Sequence, residues 1–247
     1  MKRLDLLSAP AEIASEESDP NILQFKIERF KTSKTAVEFF APLHYEQGYA
    51  YPLLIWLHGP QDTERQIRRI MPLTSTRNFV AVAPRAPRKV AQLGSRTATY
   101  NWVQEPSDIE RSCSSVLRVV DLASEKYNIH ANRIFIGGYS DGGTMALRIA
   151  LRYPHLFAGV ASIGGAFPKA HAPLRNIGSS RKLPMLLMHS QESTNYPESE
   201  LCTDLKLLHT AGMSIDLRQY LCAQEMTTEM LSDLNNWVMQ NIASASC

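Results

Sequence analysis

The chain has 247 residues, 44% of them hydrophobic, and 26 Lys and Arg stand against 24 Asp and Glu for a formal net charge of +2. That length and apolar content suit one large α/β domain with a substantial core, and the near-neutral balance removes any electrostatic case for a nucleic-acid partner. No stretch approaches the roughly 18 apolar residues of a spanning helix, so no membrane span is expected.

Residues 1–20 are polar and acidic and read as a loose N-terminal arm, with residues 21–247 as a single domain. Lys2 and Arg3 precede a leucine-rich stretch, but Asp5 interrupts it and Pro10 and Glu12 end it before an apolar signal core develops. Ile22 to Phe30 alternates apolar and polar residues, and Thr35 to Phe40 follows it, predicting an antiparallel pair at a sheet edge. Leu53 to Leu57 is a continuous apolar run, as a strand buried on both faces should be. Arg65, Arg68 and Arg69 have helical spacing and read as a solvated face. Phe79 to Ala83 is a second buried run, ending at Pro84. A helix is predicted over about 108–127, with Val116, Leu117, Val120 and Ala123 as its apolar side.

Next comes the run Arg133 to Gly137, then Gly138-Tyr139-Ser140-Asp141-Gly142, then a helical stretch from Thr144 to Ala150. Proline disfavours helical geometry in the residue before it, so that helix stops near Tyr153-Pro154. Gly159 to Ile163 and Met185 to Met188 are further buried strands. A helix over about 198–210 ends at Ala211-Gly212, where glycine suits the terminal turn. Ile215 to Leu221 reads as a last strand and Thr228 to Asn241 as a closing helix. The sum is about eight strands in a mostly parallel sheet with helices on both faces, and no insertion long enough for a large lid.

Strand, G-x-S-x-G turn and helix together form the context of a nucleophile elbow. The glycines permit a tight turn that projects the Ser140 hydroxyl at the carboxyl edge of the sheet. A serine there needs a base to take its proton and an acid to orient that base. The four cysteines, Cys113, Cys202, Cys222 and Cys247, show no paired spacing. They point to reduced thiols and, without a signal segment, to a cytoplasmic protein. No metal-ligand spacing and no glycine-rich phosphate loop occur, so neither a metal nor a cofactor is expected.

Leu57-His58-Gly59, Asn78 through Arg85, Asn132 through Gly143, and Tyr153-Pro154 with Phe157 through Val160 run in order from about residue 50 onward. In these stretches the chain resembles the α/β-hydrolase superfamily, close to the phospholipase/carboxylesterase group of small esterases. The resemblance implies an α/β-hydrolase fold and a serine ester or thioester hydrolase, with Ser140 as nucleophile and the N–H of Asp141 as one oxyanion donor. It also implies an acid in the segment His189 to Pro197 and a histidine after the last strand. Laid on that pattern, Ser193 takes the place of the acid, Gln224 the place of the base, and Pro60 the place of the second oxyanion donor. A glutamine amide cannot hold a proton near neutral pH, and proline has no N–H to give.

Substitutes are available in principle. Glu192 adjoins the acid position, the N–H of Gln61 could replace that of Pro60, and His58 or His189 could act as base from the same sheet edge. Trp102 lies in the connection after the Phe79–Ala83 strand, where it would form a wall of an acyl pocket or pack in the core. The sequence therefore predicts a catalytically impaired member of the carboxylesterase lineage with a binding or assembly role. Its ligand would be a small ester or acyl group, and a protein partner or second copy is compatible with it. The alternative is an active serine ester or thioester hydrolase with a non-standard histidine base.

Overall fold

In the computed structural model, residues 36–90 and 98–244 are described. The predicted arm over 1–20 and the strand predicted from Ile22 to Phe30 lie outside them.

Seven strands form the main sheet: β1 (Val37–Phe40), β2 (Tyr51–Leu57), β3 (Val80–Pro84), β6 (Ile129–Tyr139), β7 (Gly159–Ile163), β8 (Met185–Ser190) and β9 (Ile215–Tyr220). Their spatial order is β1-β3-β2-β6-β7-β8-β9. Among the described residues, every pairing in this sheet is parallel except β1 with β3, which puts the one antiparallel strand at the end of that order. Two further short strands, β4 (Arg88–Val90) and β5 (Thr99–Asn101), make a separate antiparallel ribbon that the sequence pattern did not predict.

The apolar run of β2 is explained by alternation. Leu53, Ile55 and Leu57 face one core cluster, while Leu54 and Trp56 face the other. Successive side chains of a strand point to opposite faces, so a strand covered on both sides has no polar position to spare. The first cluster is closed by α2 (Pro106–Lys126), α3 (Asp141–Arg152) and α5 (Glu198–Thr210). The second is closed by α1 (Ile67–Thr74) and α6 (Thr228–Ser244), and a short α4 (Ile177–Ser180) precedes β8. Helices thus cover both faces, as predicted.

The solvated face expected at Arg65, Arg68 and Arg69 is present: all three are exposed, and Arg68 pairs with Glu38 at 2.8 Å. Among the described residues, Cys113, Cys202 and Cys222 are free thiols, and no helix is long and apolar enough to cross a membrane.

Because β2, β6, β7, β8 and β9 run parallel, their carboxyl ends lie along one edge. Leu57 is level with Gly138, Tyr139 with Ile163, Ile163 with Met188, and Ser190 with Tyr220. The loops carrying His58, Ser140, Gly164, Ser193 and Gln224 all leave from that edge.

Candidate active site

Strand β6 ends at Tyr139 and α3 begins at Asp141, which leaves Ser140 alone to make the turn. Its backbone sits at φ 52° and ψ −119°, a region that costs a non-glycine residue roughly 1–3 kcal/mol. Main-chain bonds hold it there: the Ser140 N–H donates to Ile163 O at 2.8 Å, and Ser140 O accepts from Thr144 N–H at 3.0 Å. The turn also requires glycine on either side. A Cβ at position 142 would lie 2.3 Å from Leu57 O, and one at position 138 would lie 2.6 Å from Gly142 C. Sequence and backbone agree on a nucleophile elbow, with Ser140 half-buried at its apex.

Ser193 and Gln224, which the family pattern sets at the acid and base positions, do meet. The Ser193 hydroxyl donates to Gln224 Oε1 and accepts from Tyr196 N–H at 3.1 Å. Gln224 Nε2 donates to Gly164 O at 3.2 Å, and the Gln224 carbonyl accepts from the Tyr139 hydroxyl at 2.9 Å. Both ends of the side-chain amide are therefore satisfied as a neutral group by Ser193 and Gly164, while the main-chain carbonyl is tied to the residue before the nucleophile. Glu192 is not drawn into this contact. It is exposed, and among the described residues its one bond is from its backbone N–H to Cys222 O at 3.1 Å.

Neither substitute histidine is hydrogen-bonded to Ser140. His58 is fully buried; its Nε2 accepts from Ala86 N–H at 3.1 Å and its Nδ1 bonds Gly59 O at 2.8 Å. A backbone N–H can only donate and a carbonyl can only accept, so the proton sits on Nδ1 and both nitrogens are engaged. Loss of hydration further holds its pKa below the ordinary histidine value. His58 is a strut between two loops, which corrects the expectation that it could serve as base. His189 is buried too, with Nε2 on Tyr196 O at 2.8 Å. Its Nδ1 has no hydrogen-bond partner among the described residues.

The groups expected on the oxyanion side have partners of their own. Pro60 is exposed at the turn, and the N–H of Gln61, the expected substitute, donates to Asn101 Oδ1 at 2.7 Å. Asp141 contributes a carboxylate next to its own N–H: Oδ2 accepts from Trp102 N–H at 3.0 Å and Oδ1 from Gly142 N–H at 2.9 Å. Burial pushes that carboxyl up to about 6. Trp102 is not a pocket wall. It is 2% exposed, belongs to the core, and donates from Nε1 to His58 O at 3.0 Å.

A family model described as phospholipase/carboxylesterase matches residues 45–242. The chain belongs to the phospholipase/carboxylesterase family. Its relatives include a probable carboxylesterase, SOBER1-like, of Arabidopsis thaliana, 23% identical over 235 residues that span 88% of this chain and 89% of that one. A probable inactive carboxylesterase of Oryza sativa subsp. japonica is 24% identical over 184 residues, 68% of this chain and 75% of that one. The esterase-named protein NocK of Nocardia uniformis subsp. tsuyamanensis is 28% identical over 156 residues, 62% of this chain but only 43% of its own length. Among solved structures, Arabidopsis thaliana SOBER1 superposes with a TM-score of 0.65 at 20% identity, covering 78% of this chain and all of that one (100%). The fold is that of the α/β-hydrolase carboxylesterases.

Within this phospholipase/carboxylesterase scaffold, three contributors escaped the sequence reading. Asn101 occupies the Gln61 N–H from the ribbon strand β5, and that ribbon carried no recognisable pattern. The Gln66 side chain accepts from Gly59 N–H at 3.2 Å and from Trp56 Nε1 at 2.7 Å, a pairing that no motif announces. The Asp141 carboxylate was legible in principle, because a short acid opening a helix commonly bonds backbone N–H groups.

Proposed function

We propose that this member of the phospholipase/carboxylesterase family is catalytically impaired and that it binds a small ester or acyl group, or a protein, without turning it over. The observation that carries the reading is the Ser193–Gln224 contact, which fills the acid and base positions with groups unable to move a proton. Without a base, a serine hydroxyl is a poor nucleophile. The bound state of Gln61 N–H and the missing N–H of Pro60 support the same reading, since loss of one oxyanion donor costs about 10²–10³ in rate. A rice relative carries the name of a probable inactive carboxylesterase, which gives the reading a parallel in the family. Placement in the cytoplasm belongs to this reading.

The test is labelling of the purified chain with a fluorophosphonate probe, beside Ser140→Ala. Equal, background labelling of the two folded proteins is the expected result. Labelling lost in Ser140→Ala, together with ester turnover near 10 s⁻¹, would overturn the proposal and require an unconventional base.

A further inference from the structure

Arg148 lies on α3 about two turns beyond Ser140, on the side that meets α2. It is only 4% exposed, and its Nε donates to Gln104 Oε1 at 2.5 Å. A guanidinium so deeply buried is ordinarily paired with a carboxylate, because an unpaired buried charge is costly. Among the described residues, none forms an ion pair with Arg148. Lost hydration holds its pKa below the ordinary arginine value, opposed only by the Cys113 thiol. The other end of its partner is also unsatisfied, since Gln104 Nε2 is buried without a hydrogen-bond partner among the described residues.

Beside Arg148 lies a cavity of about 260 Å³ between α2, α3 and the loop before α4. Arg152 and Arg175 line it as well. The acid in that lining, Glu110, is already engaged by Arg152 at 2.7 Å. Arg175 is exposed at the rim and forms no ion pair among the described residues. Among the described residues, two guanidiniums without an ion pair thus border one small space, and the hydrogen bond that holds one of them there runs through its Nε. Planar guanidinium forks suit carboxylate and phosphate oxygens.

We propose that this cavity is a binding site for a small oxyanion, the phosphate or carboxylate group of a molecule of a few heavy atoms, held by Arg148 from below and Arg175 at the rim. The volume sits just under the usual range for drug-sized ligands, which sets the size limit. The site lies behind the elbow helix and does not depend on the reactivity of Ser140.

The experiment is titration of the full chain with inorganic phosphate and, separately, with acetate, followed by calorimetry and thermal melting against chloride at matched ionic strength. Saturable binding of one or both anions with a rise in Tm, absent for chloride, is expected. A response to phosphate assigns a phosphate-bearing ligand, and a response to acetate a carboxylate-bearing one. Arg148→Met keeps the length without the charge; it should melt above the parent in the absence of anion and lose the anion response. Arg175→Gln, at the surface, should fold normally and bind about tenfold more weakly, as loss of a charge-assisted hydrogen bond implies. No response beyond chloride, or binding unchanged in Arg175→Gln, would overturn the site.

Discussion

Ser140 is held by main chain, whereas Ser193 and Gln224 meet through one side-chain bond. The elbow depends on the Ser140 N–H to Ile163 O bond and on glycine at positions 138 and 142, where any side chain would run into the backbone of β2 or α3. Altering it disturbs the packing of the central strands. The facing loops carry their chemistry on side chains that the sheet does not need, so a neutral pair can stand there while β8, β9 and α6 stay as they are. On the proposed reading, a well-formed nucleophile elbow reports the fold, and the loops opposite report the activity.

The largest effect that would sharpen this contrast is a gain of function. Ser193→Asp with Gln224→His restores an acid and a base at two positions already in contact, and general base catalysis contributes about 10²–10⁴-fold. Ester hydrolysis by the double variant should rise by about that factor and vanish on further Ser140→Ala. Activity no higher than the parent's would mean the oxyanion side alone disables the centre.

Next comes the elbow itself. Gly142→Ala places a Cβ 2.3 Å from Leu57 O and 2.4 Å from His58 O, and a clash with backbone on two sides should cost on the order of 3–4 kcal/mol. Calorimetry should record a Tm lower by about 10 °C; an unchanged Tm would show that the elbow is looser than its geometry implies.

The Asp141 carboxyl gives a smaller, pH-dependent effect. Its pKa rises on folding from the ordinary 3.8 to about 6. The folded state therefore binds the proton more tightly, and stability from this group is full at low pH and lost as pH rises from about 4 to about 6. The two-unit shift sets an upper bound of about 3 kcal/mol. Melting curves of the parent and Asp141→Asn across that window should diverge, with the parent losing ground as pH increases. Parallel curves would place the Asp141 carboxyl at its ordinary acidity.

Smallest is Ser193→Ala, which removes the acceptor of Tyr196 N–H and the donor to Gln224. A loss of about 1–2 kcal/mol is expected, measurable by urea unfolding and without effect on the elbow. A larger loss would mean that this contact supports the fold after all, and would weaken the contrast.

Most of the fold was legible because parallel strands covered on both faces have no polar positions. Leu53–Leu57 and Met185–Met188 could hardly be anything else, and the helix at Glu198–Thr210 was found within its bounds. The short ribbon β4–β5 was not, since Arg88–Val90 and Thr99–Asn101 are only three residues each and half-buried or exposed. Helix α1 showed its solvated arginines but not its extent, with Pro72 inside it. At the site, the expectation that positions 60, 193 and 224 correspond to the oxyanion donor, acid and base came from the family pattern alone. What no sequence pattern could show was that His58 has both nitrogens occupied or that Gln61 N–H is taken by Asn101, because both depend on contacts 28 and 40 residues apart.

The His58 strut has a kinetic consequence. Its imidazole accepts the Ala86 N–H at full burial and is anchored by Gly59 O at the other end, so the loop after β2 and the loop after β3 are joined through one ring. The Ala86 amide can then meet solvent deuterium only when the two loops part from each other or the whole sheet opens. In a hydrogen-exchange experiment it should rank with the amides of central strands and not with those of loops, which makes it a native gauge of global opening at the very edge where the catalytic centre of an α/β-hydrolase would stand.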